Sequence, residues 1–244
     1  MLIYELTKTK PRKHVAFAFG RMNPPTVGHA QLINTVAESA NGGDWVVFLS
    51  QTQDTKKNPL PWTTKLSFLK QLFPKQAGHF YAQQDVRTIM DALEKLYQMG
   101  YTDITYVAGS DRLPAFKSLI EKYNGVDGGK TYYKFNSVNY TSSGDRDPDD
   151  ENSVAGVSAS AAREAAVKGD YEEFRKIVGA NELSKLMYSK VRTHMNLDAE
   201  VAEDASGYIP KNKREAKDPR WSMALSVDVT PETPTKNAKA LRLA

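Results

Sequence analysis

Two kinds of apolar pattern alternate along the chain. Unbroken short runs come first: His14-Val15-Ala16-Phe17-Ala18-Phe19 has the length and aromatic content of a buried strand. Similar runs at 44–50, 79–82, 104–108 and 132–140 predict four more strands. Between them apolar residues recur every three or four positions. Ala30, Ile33, Val36, Ala37 and Ala40 predict a helix beginning near Gly28, and Leu66, Leu69, Leu72 and Phe73 one over 63–73. Ile89, Leu93, Leu96 and Tyr97 predict a third over 86–99, and a fourth spans 113–123. Strands that alternate with helices imply an α/β protein with a doubly wound, five-stranded parallel sheet, covered on both faces. Three closing helices are expected at 159–167, 171–178 and 182–195. In such sheets ligands bind at the carboxyl ends of the strands.

Two segments break the pattern. Residues 142–156 are polar and acidic (Asp145, Asp147, Asp149, Asp150, Glu151) and read as a surface loop. From 196 onward acidic and basic residues balance, Pro210, Pro219, Pro231 and Pro234 interrupt any long element, and little apolar matter is left to form a core. The expected organisation is therefore a globular domain over 1–195 and a largely non-globular tail over 196–244. Within the tail, Trp221 to Val227 is a candidate docking segment for a protein partner.

Composition narrows the chemistry. With no cysteine among 244 residues, disulfides, thiolate catalysis and Cys-type zinc sites are excluded. The four histidines lie far apart in the chain, so no metal-ligand spacing is present. A net charge of +4 with scattered Lys and Arg gives no nucleic-acid footprint. No run approaches the ~20 apolar residues of a membrane span, and 1–13 lacks a signal-type apolar stretch, so a cytoplasmic protein is expected.

The candidate chemistry gathers at four places. Gly20-Arg21-Met22-Asn23-Pro24-Pro25-Thr26-Val27-Gly28-His29 joins the first strand to the first helix through a stiff, Pro-rich turn. Thr26 and His29 sit at the helix mouth, where free N–H groups and the dipole suit a phosphate. Gly28 leaves room there, and His29 can donate a hydrogen bond. Val157-Ser158-Ala159-Ser160-Ala161-Ala162-Arg163 opens a later helix, where Ser158 or Ser160 can cap and Arg163 adds a guanidinium matched to phosphate oxygens. Ala108-Gly109-Ser110-Asp111 ends the fourth strand. Lys57-Asn58-Pro59-Leu60-Pro61-Trp62 follows the second, and its Trp62 could stack on a flat ring. A fifth stretch, Asn124 to Thr131, imitates a phosphate-binding loop, but Asn124 stands where that motif needs Gly, and the stretch precedes a strand.

The first two motifs, in this order, resemble those of the nucleotidyltransferase superfamily marked by [H/T]-x-G-H and S-x-[S/T]-x-x-R. Thr before x-G-H is the form of its phosphopantetheine adenylyltransferase branch. Gly20-Arg21 and Gly109-Ser110-Asp111 are similar to nicotinamide-mononucleotide adenylyltransferases. The resemblance implies a Rossmann-like fold and transfer of AMP from ATP to a phosphate monoester with release of pyrophosphate. It implies that Thr26 and His29 meet the α-phosphate and that Arg21, Ser158, Ser160 and Arg163 hold the leaving phosphates. Gly20, Met22, Asn23, Gly28, Gly109 and Asp111 would line the nucleotide, and Lys57 and Trp62 the acceptor. Magnesium would arrive on the nucleotide phosphates, with no metal site in the protein. Nicotinamide mononucleotide is the expected acceptor. Phosphopantetheine and cytidylyl transfer are the alternatives within the superfamily, and a non-catalytic nucleotide-binding or virion-associated protein is the alternative outside it. The wording of Ser206 to Pro210 and Asp218 to Trp221 resembles proteins of large tailed phages, which implies a host cytoplasm or a virion as the setting.

Overall fold

In the computed structural model, which describes residues 12–144 and 159–197, five parallel strands stand in the order β3-β2-β1-β4-β5. They are β1 (His14–Gly20), β2 (Asp44–Leu49), β3 (Phe80–Tyr81), β4 (Asp103–Ala108) and β5 (Ser137–Ser142). Central β1 carries an apolar run without alternation because both its faces are covered. Val15 and Phe17 join the core on one face; Ala16 and Ala18 join that on the other.

The small Ala side is packed by α1 (Gly28–Ser39) and α2 (Trp62–Leu72), through Ile33, Val36 and Leu69. The aromatic side is packed by α3 (Ile89–Gln98) and α4 (Leu113–Tyr123), through Leu93, Leu96 and Ile120. The sheet is therefore doubly wound and Rossmann-like, as the alternation predicts. The strand order reverses between β1 and β4, so their carboxyl ends open a crevice. A third cluster holds α5 (Ala159–Lys168), α6 (Tyr171–Val178) and α7 (Leu183–His194) together, and Leu60 and Phe68 of the α2 region reach into it.

Two boundaries move from their predicted places. α3 begins at Ile89 rather than 86, because Thr88 and Asp91 form a reciprocal capping box that fixes the first turn. Val86 is still buried, but before the helix. β5 begins at 137 rather than 132, because β4 offers no partner before Asp103, which stands opposite Ser137. The residues before it bond elsewhere: the Asn124 amide side chain donates to the Phe135 carbonyl and accepts from the Phe135 N–H at 3.1 and 2.8 Å. The stretch beginning at Asn124 is a turn, as expected, and it straps this segment. Most of the acidic loop, Ser158 and nearly all of the tail, with its Trp221 segment, lie outside the described residues. Among the described residues no helix is long and apolar enough to cross a membrane.

Candidate active site

The crevice is a cavity whose wall is shared by the ends of β1 and β4, the β1–α1 turn and the start of α5. Gly20, Arg21, Met22, Asn23, His29, Lys57, Gly109, Asp111, Ser160 and Arg163 all contribute to it. Two helix beginnings far apart in the chain thus face one space. The tie between them is direct: Arg163 Nη1 donates to the Asn23 carbonyl at 2.7 Å, and Nη2 donates to Ser160 Oγ at 2.9 Å.

Asn23 is 1% exposed, and its side chain is turned to the backbone of Leu60. Its Nδ2 donates to the Leu60 carbonyl at 2.9 Å, and its Oδ1 accepts from the Leu60 N–H at 3.0 Å. Asn23, expected at the nucleotide, lines the cavity and spends these side-chain groups on holding the turn. Next to it Met22 is buried, with φ of 43°, in the left-handed region.

The expectation of open helix-mouth amides is corrected. The Val27 N–H donates to the Ile177 carbonyl at 3.2 Å, that of His29 to Thr26 at 3.1 Å and that of Ala30 to Val27 at 3.0 Å. The Thr26 N–H donates to His29 Nδ1 at 2.9 Å, and Thr26 Oγ1 lies 2.9 Å from the same nitrogen. An amide can only donate, so Nδ1 accepts and the neutral ring carries its proton on Nε2. Thr26 is 1% exposed and stands behind His29, outside the cavity wall. It aims the imidazole; α1 presents a side chain to the cavity where a fan of amides was expected. Gly28 is also away from the wall, and Trp62 packs partly buried against the α1/α2 core.

Glycine serves two separate ends here. A Cβ on Gly109 would lie 2.8 Å from Asp111 Oδ1, so glycine lets that carboxylate fold back on the turn. A Cβ on Gly20 would meet only the Met22 side chain, at an ordinary 3.7 Å, so the fold itself has room for one there.

Sequence reasoning passed over Lys65. It lies on the apolar face of α2 beside Phe68 and Leu69, and it is 0% exposed. Its Nζ donates to the Arg21 carbonyl at 2.9 Å and to the Ser50 carbonyl at 2.6 Å, joining the ends of β1 and β2. A lysine in register with Leu69, one turn on, was the available signal. Burial, and then the nearby Arg21, push its pKa down to about 8. Asp54 shapes the neighbouring loop, accepting from the Lys57 and Lys56 N–H groups at 2.5 and 2.9 Å. Those bonds, that to Lys57 foremost, bring its pKa down to about 2.

Electrostatically the cavity wall is cationic. Desolvation and then Arg21 lower the pKa of Arg163, so the two guanidinium groups are close enough to repel. Among the described residues no group of three His, Cys, Asp or Glu could hold a metal ion, and Asp111 is the carboxylate on the wall. Such a donor set suits phosphates.

No family model matches this chain, and no curated protein matches it in sequence. Its fold is that of nucleotide adenylyltransferases among the solved structures. It is similar to nicotinic acid mononucleotide adenylyltransferase of Plasmodium falciparum, solved in complex with NaAD, at 13% identity and TM-score 0.51 over 75% of this chain and 98% of that one. A putative nicotinate-nucleotide adenylyltransferase of Vibrio parahaemolyticus aligns at 15% identity and TM-score 0.42, over 72% of this chain and 98% of that one.

The Asn23 clamp predicts a measurable cost. Asn23→Ala leaves a buried N–H and carbonyl of Leu60 unpaired, so denaturant unfolding should show a loss of about 2–4 kcal/mol. A loss under about 0.5 kcal/mol would mean that the clamp does not bear on stability.

Lys65 predicts a pH dependence. Its pKa is lower folded than unfolded, so below about pH 8 both states are charged and the full burial cost is present. As pH rises from about 8 towards 10.5 the folded form sheds its proton first and the cost is lifted. The stability of the wild type relative to Lys65→Met should therefore rise across that window. Parallel profiles would refute the assignment.

Proposed function

We propose that the protein is a nucleotidyltransferase that moves AMP from ATP to the phosphate of nicotinamide mononucleotide, forming NAD and pyrophosphate. The observation that carries this reading is the convergence of Arg21, His29, Ser160 and Arg163 on one cavity, lashed together by the Arg163–Asn23 bond. The fold shared with an enzyme solved with NaAD supports it.

A phosphate oxygen of the acceptor attacks the α-phosphorus of ATP in line. The new P–O bond forms as the bond to the β-phosphate bridging oxygen breaks, and pyrophosphate leaves with that electron pair. No protein nucleophile is required. His29, its ring set by Thr26, donates from Nε2 to a non-bridging oxygen of the α-phosphate as charge gathers there. Arg163, Ser160 and Arg21 hold the β- and γ-phosphates, and the repulsion between the two guanidiniums is relieved when an anion lies between them. Lys57 at the cavity edge meets the acceptor phosphate, and the Gly109–Asp111 turn lies along a ribose. Gly20, where the fold would accept a methyl group, is kept clear for the nucleotide. Magnesium on the triphosphate would neutralise part of its charge; the protein contributes positioning and cations.

The solved relative was named for nicotinic acid mononucleotide and held NaAD, which favours the acid form of the same acceptor as the second reading. A pyrophosphate-release assay crossing ATP and CTP with nicotinamide mononucleotide, nicotinic acid mononucleotide and phosphopantetheine separates these substrates. Nucleotide binding without turnover on any pair would favour a non-catalytic module. His29→Ala and Arg163→Ala should each lower kcat by ~10²–10³ with the folded state retained in circular dichroism. Near-wild-type turnover in either variant would refute the assignment.

A further inference from the structure

The outer side of α5 lines a second space. Ser160, Arg163, Glu164 and Lys168 recur three or four positions apart and so share one side of that helix. Together with Lys56 and Lys57 of the β2–α2 loop they line a groove of about 370 Å³, a volume in the range of small-molecule sites. Lys57, Ser160 and Arg163 also stand on the crevice wall, so the two spaces adjoin. Lys56, Glu164 and Lys168 line the groove and not the crevice.

The groove is cationic: Lys56, Lys57, Arg163 and Lys168 face the one carboxylate of Glu164. Among the described residues none of the three lysines is in an ion pair. Cations gathered on one wall repel, and a multiply charged anion among them relieves that repulsion. The two loop lysines are also set in place. Asp54 Oδ1 accepts from the N–H groups of Lys56, Lys57 and Asn58 at 2.9, 2.5 and 3.3 Å, and Oδ2 accepts from Asn58 Nδ2 at 2.6 Å. Asn58 is buried, and Leu60, two residues on, is gripped by Asn23. The backbone under Lys56 and Lys57 is thus fixed, while their side chains stay exposed. A loop ordered in advance loses little freedom when a ligand binds.

We propose that this groove is a second anion site, which binds condensed phosphate: inorganic pyrophosphate passes into it from the crevice by way of Arg163 and Ser160 and is held by Lys56, Lys57 and Lys168. The choice of anion rests on the transferase reading above, which sets the leaving pyrophosphate against the two shared residues; the groove's charge and room stand apart from it. The β- and γ-phosphates of ATP carry the same chemistry, so free pyrophosphate and the nucleotide's own tail are told apart by titration.

The test is calorimetric titration of the full chain with inorganic pyrophosphate at constant ionic strength, the crevice first being saturated with a non-hydrolysable ATP analogue. Wild type is compared with Lys56→Ala/Lys168→Ala, two exposed positions off the crevice wall, and with the charge-preserving Lys56→Arg/Lys168→Arg. The expected result is that pyrophosphate binds wild type alongside the analogue and binds the alanine variant about tenfold more weakly. The arginine variant should bind like wild type, and the affinity for the analogue should be the same in all three. Equal pyrophosphate affinities in wild type and the alanine variant would overturn the proposal. Exclusion of pyrophosphate by the analogue would overturn it too, and weaker analogue binding in the alanine variant would then assign the groove to the nucleotide's own phosphates. Turnover is read separately. A wild type that turns over but takes no pyrophosphate beside the analogue sinks this proposal alone. One that binds pyrophosphate through the two lysines but releases none from any substrate pair sinks the transferase reading and leaves the anion site standing.

Discussion

The arrangement depends on one hydrogen bond between distant parts of the chain: the Arg163 guanidinium on the Asn23 carbonyl, spanning 140 positions. A stiff turn after a central strand and a helix start from the closing bundle have no local reason to meet. The bond makes them meet, and two further ties keep them so. The Asn23 side chain grips the backbone of Leu60, whose own side chain is buried in the bundle core. The Val27 N–H donates to Ile177, at the end of α6. The β1–α1 turn is thus held to the bundle through Arg163, Leu60 and Ile177, and a cavity wall assembled from these parts has little freedom to splay.

Such bracing matters because the wall holds like charges together. Arg21 depresses the pKa of both Arg163 and Lys65, a sign that three cations share a neighbourhood that part of the protein shields from water. A buried lysine and two neighbouring arginines raise the energy of the folded state unless something compensates. For Lys65 the compensation is the pair of strand-end carbonyls. For Arg163 it is partly the Asn23 carbonyl and Ser160, and in the proposed reaction the leaving phosphates would add to it for both arginines. A site that tolerates repulsion while empty gains most when an anion arrives, and that preference is what charge-neutralising catalysis requires.

The sheet and its covering helices were legible because their signals are local. An apolar run of β1's length has few alternatives, and the periods of α3 and α5–α7 repeat for two or more turns. What failed to show in the sequence was always a choice between partners. Nothing in the stretch around Asn23 names Leu60 as the partner of its amide; only the fold brings the two together. The helix-mouth amides looked open for the same reason, until Ile177 and the His29 ring were found against them. β5 began late because its first half bonds to Asn124, across a turn whose path no periodicity records. Lys65 hid among helix residues of ordinary appearance. Composition and spacing locate elements and motif residues, but not the pairing of their polar atoms.

The same difference bears on Thr26, which the motif sets beside His29. In sequence it is one of two conspicuous residues at a helix start, and both were assigned to the same phosphate. In the structure the Thr26 amide, and its hydroxyl at the same 2.9 Å, converge on one imidazole nitrogen, leaving His29 as the member that reaches the cavity. An imidazole on a flexible side chain would sample several rotamers and both tautomers, and the tautomer with its outer nitrogen unprotonated would present an acceptor to an anion. Fixing Nδ1 as the acceptor removes half of those states and makes the outer nitrogen a donor. The pair behaves as one device, with a buried half that sets the proton's position and a half on the cavity wall that carries the proton outward.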